Sequence, residues 1–239
     1  MDRSVHLILC DFIISFLWVC SGAAIKLFVV QFLGLGFEPK GEILRWVLAI
    51  SAMFLFAWFG KLTGGGSYNP LTVLLPAITG SYHALLLTIV ARIPVQAFGS
   101  LLGVKFVVHI LPQVGYGYRL NVDMHKGMLT EGVLSFIIVM VSLWLSKKDA
   151  HNFFMKTWIS SIFKLSLQIL GSDLTGGSMN PASAFAWAHA RGDHYTKEHL
   201  YVYWLAPIEA TLLGVWIFRW LAQPQKEQVD KTTKIKKSE

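Results

Sequence analysis

Charge is scarce in this sequence: Asp, Glu, Lys and Arg make up 15% of its 239 residues, against 54% apolar residues. That balance excludes an ordinary water-soluble globular domain and fits a chain that crosses a membrane repeatedly. Cysteine is nearly absent. Cys10 and Cys20 are the two present; on one helix they would stand about 15 Å apart, too far to bridge, so no disulfide framework supports the fold. A glycine-rich phosphate cradle and a nucleophile elbow are also missing. Among eight histidines, His189, His194 and His199 recur at intervals of five, which neither shares a helix face nor matches a zinc pattern. Neither an enzyme nor a cofactor nor a metal site is indicated. The net charge of +7 does not point to nucleic acid, because no basic face interleaved with aromatics accompanies it; charge at a membrane surface is the better reading.

What the chain has in abundance is apolar runs. At roughly 20 residues per crossing, spans are expected near residues 5–30, 43–60, 84–110, 128–146, 153–170 and 200–221. The first run contains "VCSGA", which looks cleavable, but Asp11 and the run's length mark a retained span. Two phrases interrupt the pattern: "LTGGGSYNP" ending at Pro70 and "LTGGSMNP" ending at Pro181. Each is followed by an apolar stretch too short to cross a bilayer, a half-helix candidate. The repetition extends further. "DFIISF" from Asp11 parallels "EGVLSF" from Glu131, and "LLGV" begins 32 residues after the asparagine in both halves. The chain therefore reads as one domain over residues 1–221, with repeat one at about 1–112 and repeat two at about 126–221, followed by a basic tail at 222–239. Three spans per repeat invert the second relative to the first. Lys147, Lys148, Lys156 and the tail lysines place both termini in the cytosol.

Asparagine is a strong helix N-cap and proline is favoured at the next position, so Asn-Pro starts a helix. Two such starts entering from opposite leaflets aim their positive dipole ends at one point. Non-helical backbone at that depth requires burial in protein or a water-filled cavity. The side-chain amides of Asn69 and Asn180 would offer two donors there, orienting a passing water and disfavouring cations.

With "SYNPLTVL", "TGGSMNPASAF" and "VQAFGSLLG", the chain resembles the aquaporin, or major intrinsic protein, family over nearly its whole length. The resemblance implies an all-α membrane fold of six transmembrane helices plus two half-helices in inverted repeats, one pore per subunit, and homotetramers. It also implies that Asn69, Pro70, Leu71, Asn180, Pro181 and Ala182 form the junction, with Gln168, Gly177 and Ser183 at the outer constriction. Span two would add Ala49 or Ser51. Leu71 stands where the family usually has alanine, and Ser183 where most members carry arginine, which weakens cation rejection at that point. The Asn-Pro-Leu box, small size and basic pI resemble the plant small basic intrinsic proteins, particularly their second class. That class resides in the endoplasmic reticulum, and Lys236 and Lys237 resemble a dilysine retrieval signal read by a receptor; a polybasic tail near anionic lipid is the alternative.

Asp11 and Glu131 are expected to hold the half-helix loops by accepting backbone N–H groups. Lys105 and Lys164 are read as snorkelling or contacting another subunit, and the aromatics as interface belts and packing. The expected function is a passive channel for water and small neutral solutes. The rivals are a non-conducting scaffold that keeps the fold and a proton-coupled transporter using Asp11 or Glu131.

Overall fold

The computed structural model describes residues 2–36, 38–112, 115, 117–147 and 152–236, with side chains described as far as Leu221. Lys237 lies outside the described residues, and so does the side chain of Lys236. Among the described residues the secondary structure is helical throughout. Helix α1 (Arg3–Leu27) continues through a π-turn to Phe32, and α2 (Pro39–Leu62) returns. The short α3 (Pro70–Thr79) precedes α4 (Tyr82–Leu87), which runs through a second π-turn into α5 (Ile93–Ile110). The second repeat comprises α6 (Met124–Lys147), α7 (Phe153–Gly171) and the short α8 (Pro181–Arg191). It ends with α9 (Lys197–Leu200), a π-turn and α10 (Ala206–Lys236).

Five of these segments are long and apolar enough to cross a membrane: Arg3–Phe32, Pro39–Leu62, Tyr82–Ile110, Met124–Lys147 and Lys197–Leu221. The sixth long helix, α7, has 19 residues, but Lys156, Ser160, Lys164 and Gln168 recur along it every fourth position. Residues four apart share a helix face, so this stripe dilutes the hydropathy of α7. Together they form the six spans and two half-helices of the expected fold.

The packing repeats as the sequence does. Helix α1 lies along α5, and α6 along α10; α3 contacts α10, the last span of the other repeat, while α8 contacts α5 in the same reciprocal way. Small residues allow the close crossings. A Cβ on Gly99 would stand 2.4 Å from the carbonyl oxygen of Phe12, so α5 can approach α1 this closely only with glycine there. At the start of α6, Asp123 accepts the Lys126 backbone N–H at 3.0 Å, and that bond holds its carboxyl below the usual carboxylate range.

Candidate functional site

The site is assembled at the two half-helix starts. Asn69 caps α3 by accepting the Leu71 N–H at 3.0 Å, and Asn180 caps α8 by accepting the Ser183 N–H at 3.3 Å. Each amide also crosses to the other repeat. Asn69 Nδ2 donates to the carbonyl of Met179, the residue before Asn180, at 2.8 Å. Asn180 Nδ2 donates to the carbonyl of Tyr68, the residue before Asn69, at 3.2 Å. The two helix starts are therefore locked tip to tip by a reciprocal pair of bonds.

Two acids position the loops that lead into these starts. Asp11, wholly buried, accepts the Ser67 N–H at 2.7 Å and a bidentate contact from Arg92 at 2.7 and 2.9 Å. Glu131, equally buried, accepts the Ser178 N–H at 2.8 Å, the Met179 N–H at 2.9 Å and the Thr175 hydroxyl at 2.7 Å. These bonds satisfy backbone donors that the irregular loops leave without helical partners. Arg92 escaped the sequence reading because its partner lies 81 positions away; an isolated arginine within an apolar run was the signal available.

Met179 adopts the left-handed region at φ 45°. A non-glycine residue rarely does so, and here the Glu131 bond to its N–H and the Asn69 bond to its carbonyl hold it on both sides. Gly177, at φ 57°, lies against α7: a Cβ there would stand 2.6 Å from the carbonyl oxygen of Gln168. Its neighbour Gly176 is the one that lines a cavity.

Two cavities flank the junction. One of about 600 Å³ is lined by Asn69, Leu71, Arg92, Lys156, Lys164 and Met179 among others, and lies toward the end of the bundle holding the α6–α7 turn. The other, about 360 Å³, is lined by Trp18, Lys26, Ala49, Gln168, Ser183 and Trp187 among others. Met53 borders both. Ala49 is thus on the wall, whereas the Ser51 hydroxyl is exposed and bonds back to the Val47 carbonyl of its own helix. Pro70, Pro181 and Ala182 are buried at the junction.

The two amides are not equivalent. Both Nδ2 hydrogens of Asn180 have protein acceptors, Tyr68 O and Ser183 Oγ, the latter at 2.9 Å. Asn69 gives one hydrogen to Met179 and borders the larger cavity with the other to spare. On the smaller cavity the Ser183 hydroxyl, having accepted from Asn180, retains its own hydrogen to donate.

Between the cavities the rings of Trp18 and Tyr68 stack with centroids 3.9 Å apart, and Phe56 meets both edge-on at 5.1 and 5.6 Å. These three aromatics pack in the middle of the bundle, the packing part of the role expected of the aromatics, and form no interface belt. Lys164 corrects a second expectation: it points inward, 3.2 Å from the Tyr68 hydroxyl, because the α7 stripe faces the cavities instead of lipid. Lys105 is exposed on the outside of α5. Among the described residues no three metal-ligating groups stand close enough together to hold a metal ion.

Inverted helical repeats with half-helices meeting between two cavities define a multi-pass membrane channel. The family model of the major intrinsic proteins matches residues 3–218, and the chain belongs to that family, whose members are channels for water or small solutes. Aquaporin SIP2-1 of Zea mays is 52% identical over 97% of this chain and 94% of its own. Aquaporin SIP2-1 of Oryza sativa subsp. japonica is 51% identical, covering 95% and 92%. Among solved structures, the aquaglyceroporin from Plasmodium falciparum superposes with a TM-score of 0.74 over 94% of this chain and 99% of that one, at 17% identity.

Proposed function

We propose that this chain is a passive channel for water and small neutral solutes in the endoplasmic reticulum membrane, with both termini cytosolic and a homotetrameric assembly. The observation that carries the reading is the reciprocal lock of Asn69 and Asn180 between two cavities. A solute oxygen would take hydrogen bonds from the Asn69 amide on one side and the Ser183 hydroxyl on the other. Two helix N-termini aimed at the same point disfavour cations. A water held by its oxygen turns its hydrogens outward, which interrupts the chain of bonds that proton hopping needs.

A scaffold that keeps the fold without conducting is the second reading, and the Trp18–Tyr68 stack between the cavities favours it. The proton-coupled transporter is disfavoured: Asp11 is engaged by Arg92 and Ser67, and Glu131 by three donors. Stopped-flow light scattering on proteoliposomes, with water, glycerol, urea and hydrogen peroxide compared, decides between the readings. The channel reading requires water flux well above protein-free vesicles, and folded protein with lipid-level flux for every solute supports the scaffold. Replacing Lys236 and Lys237 by serine is expected to release a fluorescently tagged chain from the endoplasmic reticulum.

A further inference from the structure

A lysine in the middle of a membrane bundle is expensive and demands an explanation. Lys164 cannot snorkel: its ammonium lies 3.2 Å from the Tyr68 hydroxyl and 4.7 and 4.8 Å from the ring centres of Trp18 and Tyr68. Tyr68 directly precedes the capping Asn69, and its carbonyl receives the Asn180 amide. Trp18 lines the smaller cavity, whereas Tyr68 and Lys164 line the larger. The charge therefore stands at the partition between the cavities, beside the tip-to-tip junction.

No carboxylate on the cavity walls cancels it. Among the described residues, no aspartate or glutamate lines either cavity, and Asp11, whose partners Arg92 and Ser67 line the larger one, is wholly buried against them. Tyrosine and tryptophan rings seat an ammonium without neutralising it. Low-dielectric walls focus the field of such a charge into the passage. On the second half-helix, Ser183 contributes a hydroxyl and no charge.

We infer that Lys164 is the charge-selectivity residue of the pore, a fixed cation on α7 that keeps protons and metal cations from crossing the junction. The inference rests on the channel reading above. Lysine and arginine both supply the charge at this position; glutamine supplies polarity without it. The aromatic seat of Trp18 and Tyr68 sets where the charge stands, and so makes these two residues positioning residues.

The test uses the full chain in proteoliposomes, with water flux read by light scattering and proton and potassium leak read by entrapped dyes. Lys164→Gln is expected to conduct water at least as fast as the unaltered chain while proton or potassium leak rises about tenfold or more. Lys164→Arg is expected to stay tight, and Lys105→Gln, on the outer face of α5, to change neither flux. If Lys164→Gln does not fold, Lys164→Met, which keeps an apolar stem against the rings, carries the same expectation. A folded, water-conducting Lys164→Gln or Lys164→Met that excludes cations as well as the unaltered chain overturns the inference and leaves the channel reading standing. Absence of water flux in the unaltered chain removes both.

Discussion

The two half-helix starts share a phrase but not an environment. In the first repeat, the carbonyl of Asn69 receives the Thr72 N–H in a tight opening turn, α3 contains Pro76, and much of its length is partly exposed. In the second, the carbonyl of Asn180 receives Ala184 in regular α-helical register, and Ala182, Ser183, Ala184, Ala186 and Ala188 are all at most 2% exposed. The acids differ as well: Asp11 is matched to a cation, while Glu131 spends its oxygens on the loop itself. The second start is anchored in packed backbone and meets its cavity through the Ser183 hydroxyl, whereas the first meets its cavity through the capping amide of Asn69 itself. One motif can thus serve as the more rigid reference, with its asparagine committed to protein partners, while the other keeps its asparagine free for solute.

The largest expected effect comes from removing the anchor. Glu131→Ala strands three buried donors at about 1–3 kcal/mol each, so unfolding in detergent should lose on the order of 3 kcal/mol or more; a loss below about 1 kcal/mol would show that the loop supports itself. The aligned glycines give the next contrast. Gly177→Ala meets the Gln168 backbone from a left-handed residue, whereas Gly66→Ala meets the side chains of Thr63, Ile14 and Cys10 at a residue with ordinary φ. Left-handed strain and overpacking together make Gly177→Ala cost on the order of 3 kcal/mol, with Gly66→Ala about 2 kcal/mol cheaper; equal costs in thermal unfolding would erase the distinction.

Smaller still is the difference between the asparagines themselves. Each loses a cap worth about 1 kcal/mol on truncation. Asn180→Ala frees two acceptors and Asn69→Ala one, so Asn180→Ala should be the more destabilising by about 1 kcal/mol, while Asn69→Ala should reduce osmotic water permeability more. The reverse order in both assays would mean that the roles are exchanged. Ser183→Ala is the mildest change, expected to cost under about 1 kcal/mol because Asn180 keeps its bond to Tyr68.

The asparagines and the spans were legible because capping chemistry and apolar run length act locally. Asn-Pro starts a helix wherever it stands, and the repeat spacing told that the two starts belong together. The interior of the lumen was not legible in the same way. Lys164 alone is ambiguous between lipid and lumen; the four-residue stripe through Lys156, Ser160 and Gln168 was the signal that it faces inward. The Asp11–Arg92 pair and the Trp18–Tyr68 stack join distant positions, and no periodicity announces which distant partners meet. The left-handed Met179 was hidden too, since methionine has no preference for that conformation and long-range bonds impose it.

The central claim is that the two helix tips form one junction, and a double-mutant cycle on Asn69→Ala and Asn180→Ala, read by unfolding free energy, tests it directly. Residues in one hydrogen-bond network show interaction energies of about 0.5–3 kcal/mol, so the double variant should lose less than the two single losses combined by about 1 kcal/mol. Strict additivity, within about 0.3 kcal/mol, would mean that the tips do not hold one another.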